Sequence, residues 1–75
     1  MKRVLLTDIL DLFMGTIFVR CGWDNIFMGS KDDFWDDQYV IEYFDKRGMN
    51  KNNVYVSYLE GSPQYTDTIE IEIMR

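Results

Sequence analysis

The residues best suited to chemistry form one run, Asp32-Asp33-Phe34-Trp35-Asp36-Asp37, in which four carboxylates surround two large aromatic rings. Hard oxygen donors suit Mg²⁺ or Ca²⁺. The spacing Asp-Asp-x-x-Asp, met at Asp32, Asp33 and Asp36, holds Mg²⁺ against a diphosphate in some enzymes. That chemistry belongs to large helical folds with deep pockets, and 75 residues are too few to build one. No spacing of acids matches an EF-hand calcium loop. Paired carboxylates also serve as general acid and base, but only where their environments drive their pKa values apart. Here the acids fall on polar faces, so the chain reads as non-enzymatic and without a cofactor.

Recognition is the remaining chemistry for this run. Trp and Tyr are favoured interface anchors, and an acidic field draws in a basic partner and speeds the encounter. The competing reading is structural: a capped, solvated helix start with Phe34 and Trp35 in the core. A second candidate is Trp23, in the turn cluster from Cys21 to Asn25. A Trp there either folds back onto the sheet or stands out for contact.

Other chemistry is excluded by absence. There is no histidine and one cysteine, which removes His-based catalysis, a His/Cys zinc site and a disulfide framework within the chain. Cys21 follows Arg20, a neighbour that favours a thiolate, yet with no His to pair with it a structural thiol is the better expectation. The glycines form no phosphate-cradling loop.

Hydrophobic residues make up 47% of the chain and charged ones 28%, which is a globular mix. Core stability is narrow at this length, and the twelve aromatics, or a homodimer, are the means to extend it. The net charge is −5, which disfavours direct nucleic-acid binding and an anionic membrane surface. That charge is local. From Asp24 to Asp45 seven acids, Glu42 among them, face only Lys31, so the segment carries −6 and the other 53 residues sum to +1. Asp8 and Asp11 interrupt the apolar N-terminal stretch, so it does not read as a signal peptide. No run approaches a membrane span. A reducing cytoplasmic location is expected, and the lone thiol fits it.

The elements that position these residues follow from periodicity. Leu6, Ile9, Leu10 and Phe13 recur at helical spacing, predicting a helix over Val4–Met14 with Gly15 at its C-terminal end, or a later start capped by Thr7. Thr16–Arg20 and Ile26–Met28 form a hairpin with a loop of roughly four or five residues. Ser30 with Asp33 resembles a capping box. Between Lys31 and Arg47, Tyr39, Val40, Tyr43 and Phe44 fit a helical stripe ending at Gly48, with a break near Asp36, although Gln38–Phe44 is also rich in strand formers. Val54–Leu59 alternates as a strand, Gly61-Ser62-Pro63 begins a turn, and Thr68–Arg75 places three isoleucines on one face and Glu70 and Glu72 on the other. Those glutamates either guard an edge strand or, on a central strand, add a second acidic strip. The order α-β-β-α-β-β predicts an α+β fold with a small antiparallel four-stranded sheet and one or two helices.

The stretch Leu5–Phe13, the hairpin Thr16–Gly29 and the closing Thr68–Ile73 together resemble, in layout, small acidic accessory proteins of bacterial phages and mobile elements. Members of that group act as inhibitors of bacterial defence systems, including anti-CRISPR proteins. The resemblance carries over no functional residue. It implies a non-enzymatic inhibitor that binds a basic nucleic-acid-binding protein, such as a CRISPR effector, and the charge and aromatic pattern read above places that contact on Asp32, Asp33, Trp35, Asp36, Asp37, Glu42 and Trp23. The alternative is a homo-oligomeric interaction module.

Overall fold

Burying Ile17 and Val19 together with Ile69, Ile71 and Ile73 puts two strands side by side with their apolar faces on one side. The computed structural model describes residues 3–61 and 67–74. Its elements are β1 (Val4–Leu5), α1 (Leu6–Leu12), β2 (Thr16–Cys21), β3 (Asp24–Ser30), a 3₁₀ helix (Lys31–Asp36), α2 (Gln38–Lys46), β4 (Tyr55–Gly61) and β5 (Thr68–Met74). The α+β class is as expected, but the sheet has five strands, in the order β1-β4-β5-β2-β3. The expectation of four antiparallel strands is corrected in two ways. Val4 and Leu5 pair with Val56 and Tyr55 as a short strand instead of starting the helix. The two hairpins, β2–β3 and β4–β5, join through a parallel pair, β2 with β5.

All three helices cover one face of this sheet. Phe34, Val40, Tyr43 and Phe44 meet Leu6 and Leu10 of α1 and the inward residues of β2 and β5 in a single core. Phe34 is fully buried and lies edge-on to Phe27, Trp35 and Phe44, with ring centroids 5.3, 4.8 and 6.0 Å away. Such edge-to-face pairs add to the energy of burial.

The helix ends differ in how well they match expectation. α1 begins after Leu5, not after Thr7, without a side-chain cap, and the chain leaves it at Phe13, whose N–H donates to the Ile9 carbonyl. Gly15 therefore lies beyond the helix. Its role is close approach, since a Cβ there would come within 2.5 Å of the Asp67 carbonyl oxygen. α2 ends as expected at Gly48, which takes φ +64. The Gly48 and Met49 amides donate to the Asp45 and Phe44 carbonyls, and buried Met49 packs into the core. This is a Schellman closure with its hydrophobic contact. The β2–β3 turn is tighter than expected: Cys21 pairs directly with Asp24, leaving only Gly22 and Trp23 between the strands. Of the turn expected at Gly61-Ser62-Pro63, Ser62 and Pro63 lie outside the described residues. No helix among the described residues is long and apolar enough to cross a membrane.

Candidate protein-binding surface

The acidic run does not form one continuous α-helix. Ser30 Oγ accepts the Asp32 amide and starts a 3₁₀ turn, while Asp37 adopts ψ 127 and breaks it. The Asp37 carboxylate then accepts the Val40 N–H at 3.1 Å and caps α2. The break near Asp36 is thus real. Asp32, Asp33 and Asp36 lie within one 3₁₀ helix, whose repeat is three residues per turn, and Asp37 stands outside it. Gln38–Lys46 is helix, which settles the helix-or-strand alternative.

The 3₁₀ helix and α2 pack on each other and on β3, which gathers the acidic segment onto one flank. Asp32, Asp33, Asp36, Glu42 and Asp45 are exposed there. Asp32 lies 3.7 Å from Lys31 Nζ and Glu42 accepts a hydrogen bond from Gln38 at 3.2 Å. Both are surface contacts of small energy. Asp33 and Asp36 make no hydrogen bond or ion pair among the described residues. Asp37 is half-buried and belongs to the scaffold.

Trp35 is also half-buried. It packs edge-on against Phe34 and Phe44, and Lys51 Nζ stands 5.4 Å from its ring centroid. Its outer side helps line a hollow of about 270 Å³ with Ile41, Phe44, Met49 and Lys51. On the other side of α2 a hollow of about 220 Å³ lies between Tyr39, Glu42, Lys46 and Asp24. There the Tyr43 hydroxyl donates to Asp24 at 2.8 Å, and the Arg47 guanidinium sits 3.6 Å from the Tyr43 ring centroid. Burial, and then the bond to Asp24, hold the Tyr43 phenol far above its ordinary pKa. Tyr39 departs from its expected place in the core stripe: it is 55% exposed, beside Glu42. The sequence signal for it was the same helical spacing, with Tyr39 one position outside the arc formed by Val40, Tyr43 and Phe44.

Trp23 is fully exposed at the hairpin tip, at the opposite end of β3 from the 3₁₀ helix. It is therefore not gathered with the Asp32–Asp37 run. Arg20 pairs with Glu72 at 3.3 Å, while Cys21 is half-buried and packed against the core, as a structural thiol would be.

The arrangement offers outward-facing acceptors and aromatic rings. Among the described residues no three acid or thiol side chains converge as a metal site. Compared with protein-family models, with curated proteins and with solved structures, the chain has no match, and the surface stands on its own geometry.

Proposed function

We propose that this chain is a non-enzymatic inhibitor that occupies a basic nucleic-acid-binding groove of a partner protein, in the manner of an anti-CRISPR protein acting on an effector. The observation that carries this reading is the flank formed by the 3₁₀ helix and α2. It turns Asp32, Asp33, Asp36, Glu42 and Asp45 toward solvent, five acids against Lys31 beside Asp32, Lys46 beside Glu42 and Lys51 over the Trp35 ring. Outward carboxylates on a short rigid frame can stand where phosphates stand, and they meet the Lys and Arg side chains that normally neutralise phosphate. The rings of Tyr39 and Trp35 border this flank and supply apolar contact.

The test is capture from a bacterial lysate on the immobilised chain, with and without added nucleic acid. The parent is expected to retain a nucleic-acid-binding protein that DNA or RNA displaces and that rising salt releases. The D32N/D33N/D36N/E42Q variant is expected to lose it. Equal capture by the variant, or a complex indifferent to added nucleic acid, contradicts the proposal.

A further inference from the structure

From the open edge of β3, we infer that the partner protein contributes an extended segment that joins this sheet as a sixth strand, apolar where it crosses Met28 and basic where it reaches the 3₁₀ helix. The basic end rests on the reading of the chain as a binder of basic protein. The strand pairing rests on the main chain of β3 alone.

Bonded and non-bonded pairs alternate along an antiparallel ladder. The Lys31 amide donates to the Gly15 carbonyl at 3.2 Å, and in the same register Gly29 lies opposite Ile17 and Phe27 opposite Val19. Those are the residues that bond to β2. The intervening Met28 and Ser30 therefore turn their N–H groups, and Met28 its C=O, to the outer side of the sheet. β3 ends the strand order, and among the described residues no hydrogen bond reaches these outer groups.

The usual guards of an edge are missing here. From Asn25 to Ser30 there is no proline and no charged residue. One bulge interrupts the strand: Phe27 faces Val19 and Asn25 faces Arg20, which leaves Ile26 as the extra residue. From Phe27 to Ser30 the register then runs unbroken. The Met28 side chain lies opposite Phe18, on the side that the helices leave bare, and is 57% exposed. A residue added across from it meets an apolar neighbour.

Open N–H and C=O groups along an edge select an extended backbone. Charge then selects which chain supplies it. Antiparallel pairing of two copies about Met28 would bring Asp32 of each toward Asp24 of the other, within two segments of −6 each, which opposes it. A different chain carrying a Lys or Arg beside the 3₁₀ helix gains instead. Lys31 is taken there by Asp32 at 3.7 Å, and Asp33 makes no hydrogen bond or ion pair among the described residues. At the far end of β3, Asp24 is already engaged by Tyr43 and Arg47, so only one end of the segment is called on to be basic.

Amide hydrogen exchange of the ¹⁵N-labelled chain, with and without the blocked peptide Arg-Thr-Val-Thr-Val-Thr-Arg, tests this; an Arg at each end allows either strand direction. At saturation the Met28 and Ser30 amides are expected to exchange at least about tenfold more slowly, while Phe27 and Gly29, already bonded to β2, change little. Met28→Pro deletes an outward N–H where an edge strand tolerates proline and is expected to abolish the protection of Ser30. Met28→Lys leaves the backbone intact, sets a cation in the path of the segment and is expected to weaken peptide binding about threefold. Shifts at Asp33 and Asp36 without protection of Met28 and Ser30 overturn this inference alone. No response at either place overturns the proposed function as well. Protection that grows with protein concentration before peptide is added overturns the inference in favour of pairing between copies. Undiminished peptide binding by Met28→Pro and Met28→Lys overturns it too.

Discussion

Four neighbouring aspartates divide by geometry into two kinds. Asp37 is a helix cap, and Asp37→Ala is expected to cost about 1 kcal/mol in urea denaturation while Asp37→Asn is nearly neutral, because Asn caps as well as Asp. Asp33→Asn and Asp36→Asn are expected to leave stability unchanged within about 0.5 kcal/mol, since surface positions of this kind contribute little. An Asp before an apolar run is readable as an N-cap in the sequence, but Asp37 stands at the end of an acidic run and shares its look. The 3₁₀ turn that separates them depends on tertiary packing of Phe34, which no local spacing displays. Tyr43 gives a pH dependence. Its folded pKa is raised by burial and by its bond to Asp24. The protonated phenol is thus favoured in the folded state, so its contribution is complete below the unfolded value of about 10 and is lost as pH rises through the folded one. Urea denaturation series from pH 7 upward are expected to show stability falling above about pH 10, and falling less steeply in Tyr43→Phe.

The hairpins and α2 were legible because alternation, turn residues and the Gly48 stop are local signals. The parallel β2–β5 pair was not, because its partners come from opposite ends of the chain and parallel pairing needs a long crossover with no signature of its own. Val4–Leu5 went to a strand because β4 offered it a ladder, which tertiary context alone decides. Two substitutions probe these elements. Phe34→Ala removes a fully buried ring from beneath the 3₁₀ helix and α2 and is expected to cost about 3–5 kcal/mol in denaturant unfolding, enough to unfold much of so small a domain. E60Q/E70Q removes a like-charge pair between β4 and β5 and is expected to raise stability by about 0.2–1 kcal/mol in the same assay. A loss would show that the two carboxylates are not in repulsion.

For the whole molecule, a net charge of −5 resolves into a −6 segment carried mostly by the 3₁₀ helix and α2, with Asp24 at the hairpin turn paired to Arg47. Glu60, Glu70 and Glu72 make a second acidic strip on the bare face of the sheet. β3 is an edge of that sheet, the feature that most favours a homodimer. The acidic flank beside it opposes self-pairing, so sedimentation at several concentrations is expected to give a monomer. The most direct measurement of the central claim is competition. Once a partner is captured, its affinity for fluorescent nucleic acid is read by anisotropy as the chain is added. If the chain stands in for phosphates, the apparent Kd for nucleic acid rises in proportion to chain concentration. The D32N/D33N/D36N/E42Q variant then competes at least about tenfold less well, as the loss of a few surface ion pairs implies. Simultaneous binding of chain and nucleic acid, or undiminished competition by the variant, would contradict it.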